Sequence, residues 1–185
     1  MPRAVALLRA INVGGRFVVK MEKLRALAEG AGLTGVSTYI ASGNLLFDCA
    51  AREAPRMETK LEALWKKELG WDVPTLVRTQ KEIAELFAEG ADLAHGLKGK
   101  DVRHYVTFLR EEPARPIVEE LHSWSYAKER LLVRGRELHF WCTLPSHEAK
   151  FSNARLEKAA KIQATTRDWK TVVALQGLFS PSAPA

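Results

Sequence analysis

Six residues with phosphate-binding chemistry fall within twelve consecutive positions near the N-terminus: Arg9, Asn12, Gly14, Gly15, Arg16 and Lys20. Glycines let backbone N–H groups approach an anion closely, and Arg and Lys supply charge ahead of a helix start. The segment is not a P-loop, because no Gly-Lys-Ser/Thr follows, and it holds no G-x-G-x-x-G. The plain alternative is a strand-to-helix loop whose glycines serve left-handed turns. The first turn of the next helix is read as containing Lys20 and Lys23 rather than acids, and cations there oppose the helix dipole. A second group is Ser42, Gly43 and Asn44 with Arg78. Arg167 and Trp169, at the start of a late helix, complete the candidate ligand-binding residues.

Other reactive types read differently. By period two, Val5, Leu7, Arg9 and Ile11 share one strand face, which puts Arg9 on the open face of a sheet, and Arg110 repeats this beside Val106 and Phe108. An Arg there needs a carboxylate such as Asp48, or a ligand. His139 and Cys142 lie three apart in a strand and so face opposite sides, which argues against a metal site with His147. The Arg134-Gly135-Arg136-Glu137-Leu138 hairpin lacks both early aromatics of an RNA-recognition motif, and Trp141 occupies only the last aromatic position. No Ser-His-Asp or Cys-His pair is visible in the sequence, though such partners need not be adjacent in the chain. The sequence has only three Asn, at 12, 44 and 153, and all lie beside turns or helix starts, so each is expected to make a specific hydrogen bond or hold a left-handed backbone.

The elements that must position these residues follow from periodicity and punctuation. Val5 to Ile11 reads as a strand, and Met21, Leu24, Leu27, Ala28 and Ala31 as a helix stopped by Gly32. Val36 to Ala41 and Leu45 to Cys49 read as a hairpin about Ser42-Gly43-Asn44. Met57, Leu61, Leu64, Trp65 and Leu69 mark a second helix, and Val73 to Val77 a fourth strand. Thr79-Gln-Lys-Glu82 is a capping box opening a third helix. The order then repeats: strands over 104–109, 130–133, 138–142 and 162–166, helices around Leu121 and Leu156, and a last helix from Asp168.

The halves echo each other in sequence. Val5-Ala-Leu-Leu-Arg9 matches Val106-Thr-Phe-Leu-Arg110, Phe47-Asp-Cys49 matches Phe140-Trp-Cys142, and Arg78 matches Arg167. The fold class expected is therefore α+β, two successive ferredoxin-like βαββαβ halves packed into one unit. The boundaries are 1–89 for the first half with its following helix, 90–101 for a linker, 102–179 for the second half with a C-terminal helix, and 180–185 for a frayed tail. In such a half, strands one and three are expected to run parallel. That would put the end of strand one at the opposite edge from both Ser42-Gly43-Asn44 and Arg78.

Composition sets bounds. The formal charge is +6, carried mostly after residue 92, which is compatible with a phosphate-bearing partner. No apolar run approaches the ~20 residues of a membrane span. The short run Ala4 to Leu8, broken by Arg9, is too polar for a secretory signal. Cys49 and Cys142 sit in apolar strands, as expected for a cytoplasmic chain with buried thiols.

The stretch VALLRAINVGG, through Lys20-Met-x-x-Leu-Arg25 to TYIASGNLLF, resembles a bacterial family known as domain of unknown function 1697. The resemblance returns at Val77-Arg-Thr, Val106-Thr-Phe-Leu, Lys150-Phe-Ser-Asn153 and ATTRDWKTV. Phe17, Asp168 and Lys170 stand where the family commonly has Asn. The resemblance implies a fold of two ferredoxin-like units and no chemistry or cofactor. Three functional readings follow: a binder of a nucleotide or nucleic acid through the Arg/Asn/Gly loops, a small-molecule enzyme with its site between the halves, or a protein-interaction module. The first is preferred.

Overall fold

The computed structural model describes residues 1–185 except 14, 16, 92, 94, 95, 98–100, 146, 147 and 180–185. The element order is β1 (Arg3–Leu8), α1 (Met21–Gly30), β2 (Ser37–Tyr39), β3 (Asn44–Asp48), α2 (Ala54–Leu69), β4 (Thr75–Thr79) and α3 (Gln80–Ala91). The second series is β5 (Arg103–Leu109), α4 (Arg115–Ser123), β6 (Glu129–Arg134), β7 (Glu137–Cys142), α5 (Asn153–Ala160), β8 (Ala164–Asp168) and α6 (Trp169–Phe179). Each series builds a four-stranded sheet, β2-β3-β1-β4 and β6-β7-β5-β8. This is the α+β, twice-repeated βαββαβ fold. Two compact units result, Met1–Ala84 with Leu175–Ala185, and Glu85–Ala174.

The residues alternate as a half-covered sheet requires. In the first unit Ala4, Ala6 and Leu8 of β1, Leu45 and Phe47 of β3 and Val77 of β4 form one core with Leu24 and Ala28 of α1 and Leu61 and Trp65 of α2. Small side chains on β1 let the helices approach the sheet closely. In the second unit Leu109, Leu138, Phe140 and Cys142 meet Leu121 of α4 and Leu156 of α5 in the same way.

All neighbouring strands are antiparallel, β1 and β3 included, with Leu7 opposite Asn44. The expected parallel pairing of strands one and three is therefore corrected. A β-α-β crossover makes β1 and β2 parallel, and β3, which turns back from β2, must oppose both. The end of β1 thus meets the start of β3, and the Asn12 loop lies beside Ser42-Gly43-Asn44 rather than across the sheet from it. Arg78 stands apart, opposite Val5 in mid-strand.

The fourth strand of each series also sits two residues later than its apolar run suggests. Val73 and Ile162 are buried, but pairing begins at Thr75 and Ala164. Threonines therefore fill ladder positions, and Arg78 and Arg167 lie inside strands. The repeat holds at the level of register, since Arg78 pairs with Val5 and Arg167 with Val106.

The capping box closes as its spacing implies. The Thr79 N–H donates to Glu82 Oε2 at 2.7 Å, and the Glu82 N–H donates to Thr79 Oγ1 at 3.2 Å. Thr79→Ala is expected to cost about 1 kcal/mol, read as a lower urea midpoint with unchanged slope. An unchanged midpoint would place the start of α3 elsewhere.

Candidate functional site

The end of β1 is held from both sides. The Leu8 N–H donates to Gly43 O and the Arg9 N–H to Pro74 O, each at 2.8 Å. Gly43 has φ +82°, and a Cβ there would stand 2.8 Å from the Ile11 side chain and 2.9 Å from Leu8 Cβ. The hairpin turn can thus press against the outgoing chain only with glycine at this position.

Asn12 then closes the loop. Its Nδ2 donates to Val19 O at 3.0 Å and to Ala41 O at 2.8 Å, while the Val19 N–H donates to its Oδ1 at 2.8 Å. The side chain is spent on positioning, tying loop residues 12–19 to the hairpin. Asn44, fully buried, does the same for the turn by donating to Tyr39 O at 3.0 Å and Ser42 Oγ at 3.2 Å. These residues therefore shape the site, and its contact surface comes from their neighbours.

Those neighbours are conformationally unusual. Among the described residues five non-glycines have positive φ, and four of them, Ala10, Asn12, Phe17 and Ile40, gather here. Left-handed backbone costs about 1 kcal/mol or more at such residues. Val13, Phe17, Val18 and Ile40 are also between 45% and 66% exposed. Gly15, at φ +72°, borders open space. Gly14 and Arg16 lie outside the described residues.

Arg9 follows the strand rather than standing within it. Asp48, proposed as its carboxylate, instead meets Arg3 at 3.9 Å; antiparallel pairing places Asp48 opposite Arg3, at the far end of β1. Arg9 lines a small cleft of about 50 Å³ with Ala10, Ile11, Phe17, Trp71 and Asp72. Phe17 and Trp71 are in ring contact at 5.6 Å, and the Trp71 indole N–H is buried with no hydrogen-bond partner among the described residues. Lys20 is exposed at the start of α1, which no side chain caps. The first turn also holds an acid, contrary to the expectation of lysines alone: Glu22 is there, its carboxyl held low first by its own backbone N–H and then by Arg25. The helix start therefore adds less attraction for an anion than the two lysines suggest.

The remaining candidates are elsewhere. Arg78 is 1% exposed and its Nη1 donates to Val77 O at 3.0 Å. Arg167 repeats this, Nη1 donating to Thr166 O and Thr165 Oγ1 at 2.9 Å. Burial pushes Arg167 down to about 10, which leaves it charged at neutral pH. Both are interior side chains in sheet ladders, Arg78 in mid-strand of the first sheet and Arg167 at the equivalent place of the second.

Trp169 lies in the second unit, in an aromatic stack that sequence reasoning missed. Its ring stacks on Phe87 at 6.1 Å and on His104 at 4.5 Å, and His104 stacks in turn on Trp141 at 4.6 Å. A methyl group at Gly90 would collide with the Trp169 ring. His104 Nε2 lies 3.0 Å from His139 Nδ1. His139 is fully buried, and its Nε2 has no partner among the described residues. A signal did exist: the Phe47/Phe140 match aligns His139 with Leu46, so a histidine occupies a core position of the repeat. Cys142 belongs to the core on the helix side, with its thiol pushed up by burial. His147 lies outside the described residues.

A family model described as "Protein of unknown function (DUF1697)" matches residues 1–139. The chain belongs to this family. Among solved structures, a conserved bacterial protein, SP0830 from Streptococcus pneumoniae, is similar over 97% of this chain and 99% of that one, with TM-score 0.71 and 22% identity. At that identity the likeness concerns the fold. No curated protein matches the chain. Among the described residues no helix is long and apolar enough to cross a membrane.

Two outcomes follow. Burial, then the nearby Arg134, lowers His139 from 6.5 to about 4. The unfolded chain therefore binds the extra proton first. The neutral imidazole's stabilisation is complete above about pH 6.5 and is lost as pH falls toward 4, on the order of 3 kcal/mol. His139→Leu, which copies the first unit, should flatten the acid limb of the stability profile; parallel profiles would refute this. Asn12→Ala should lower stability by about 2 kcal/mol, through three lost hydrogen bonds, and raise hydrogen exchange at Val19, measured by NMR.

Proposed function

We propose that the loop end of the first unit binds a phosphate-bearing ligand, a nucleotide or a short stretch of nucleic acid. The observation that carries this reading is the gathering of four left-handed non-glycine residues, Asn12 with Ala10, Phe17 and Ile40, next to Arg9. A connecting loop gains nothing from such backbone, whereas alternating right- and left-handed residues turn N–H groups toward a common point, the geometry that receives anions.

The surroundings suit the two parts of such a ligand. Arg9 and Lys20 supply positive charge, and the Trp71 indole N–H is a buried donor with no partner among the described residues. Phe17, Val13 and Ile40 offer exposed apolar surface for a base or sugar face, since bases stack on aromatic rings whatever their sequence. Asn12, Gly43 and Asn44 act as positioning residues. Buried Arg78 and Arg167 are left out of the contact surface.

The test is titration of nucleoside mono- and diphosphates and short single-stranded oligonucleotides at several salt concentrations. Affinity should fall as salt rises. Arg9→Ala/Lys20→Ala should weaken it at least tenfold while the melting curve stays cooperative. Absence of binding across the panel at low salt would overturn the proposal.

A further inference from the structure

The second unit contains a cavity of about 210 Å³ that the loop site does not use. Phe140, Cys142 and Phe151 on its lining are buried, while Tyr105, Ala149 and Asn153 are part-exposed and open it to solvent. The Phe140 ring centre lies 4.7 Å from that of Phe151 and 5.9 Å from that of Tyr105, so three aromatic rings border one space. The first unit has no such cage, since Ala4 stands opposite Phe47 where Tyr105 stands opposite Phe140.

Beside this cavity sits a charge that the unit does not balance. Glu129 of β6 is opposite Cys142 of β7, so its side chain is on the cavity's face of the sheet. It is 1% exposed. Its Oε1 accepts from the Lys150 N–H at 2.6 Å and from the Tyr126 hydroxyl at 3.2 Å. Both donors are neutral, and no cation pairs with this carboxylate among the described residues. The Lys150 ammonium lies instead over the Tyr126 ring, 4.5 Å from its centre, and Arg103, on the other side of Cys142, is exposed. A buried carboxylate is costly without an opposite charge. Its field reaches the cavity wall: the Cys142 thiol is pushed up by burial first and, among charges, Glu129 raises it more than Arg103 lowers it. An anion in the cavity would meet that field with no cation on the lining to offset it.

The position of the charge selects the ligand. Glu129 stands behind the wall rather than in it, because it is not among the lining residues. A primary ammonium needs acceptors for its three N–H groups, and the buried part of the lining offers only rings and a thiol. A quaternary ammonium donates no hydrogen bond. It spreads its charge over methyl groups and is held by aromatic faces, and a carboxylate at one remove attracts it without touching it.

We propose that this cavity binds a small quaternary ammonium ion, its methyl groups among Tyr105, Phe140 and Phe151 and its charge beside Glu129. An apolar cavity of about 150 Å³ holds benzene, so about 210 Å³ admits a trimethylammonium head with one short arm. A nucleotide is too large, which separates this site from the one in the first unit.

The experiment is calorimetric titration of the full chain with choline, and with the neutral alcohol in which carbon replaces choline's nitrogen. Choline should bind with millimolar or better affinity and at least tenfold more tightly than the alcohol of the same shape. Glu129→Gln removes the charge and keeps an oxygen to accept from Lys150 and Tyr126. This variant should weaken choline at least fivefold and leave the alcohol unchanged. Ala149→Phe, which fills the cavity, should abolish binding of both while the melting curve stays cooperative. Should Glu129→Gln fail to fold, the comparison of choline with the alcohol on the wild type still decides the role of charge. No choline binding to the wild type in the millimolar range, equal binding of choline and the alcohol, or unaltered choline affinity in folded Glu129→Gln or Ala149→Phe would each overturn the proposal.

Discussion

The constraint on which the rest depends is the position of β1 and β5 as inner strands, paired on both edges with antiparallel neighbours. A strand held this way cannot slip, because a one-residue shift would turn its core face outward. Its exit is fixed by two further bonds. Leu8 and Arg9 donate to Gly43 and Pro74, and Leu109 and Arg110 donate in the same manner to Arg136 and Gln163. Arg9 and Arg110 thus leave their sheets at equivalent points, and whatever follows each arginine is presented from a rigid edge.

The units spend this rigidity differently. In the first, a buried amide and a glycine hold a loop whose backbone several non-glycine residues would not adopt in isolation. Such strain persists only because Asn12 makes three hydrogen bonds and Gly43 admits the Ile11 side chain. In the second, the corresponding turn is the short Arg134–Glu137 hairpin, and the specialised features lie on the sheet: a histidine pair and Trp stack on one face, a cavity on the other. A duplicated fold can carry two unlike sites because the ladder, which sets the fold, leaves the face-pointing side chains free to change.

The scarce asparagines illustrate how polar groups are used. Each is committed through its oxygen, its nitrogen or both, and each fixes a neighbour: Asn12 the loop, Asn44 the turn, Asn153 the orientation of a donor at a cavity wall. Their value lies in the two-sided amide, which joins a donor to an acceptor in one planar group. Aspartate could accept those bonds but not donate back.

Element order, the duplication and the capping box were legible along the chain, because these depend on local periodicity and on side chains bonding within a few residues. The sequence also marked the Asn12 loop and the Gly43 turn as places where the backbone would need special residues. Which of these meet was settled by the packing of the elements. The sense of the β1–β3 pairing joined Asn12 to Ala41 and left Arg78 apart, and that sense is a property of the crossover rather than of any residue. The burial of Arg78 and Arg167 likewise came from strands that begin two residues beyond their apolar run. His104 and His139 are brought together by cross-strand register over a separation of 35 residues. The cavity exists because segments distant in the chain converge on one sheet face. Contacts of this kind are set by packing between elements, and no periodicity along the chain encodes them.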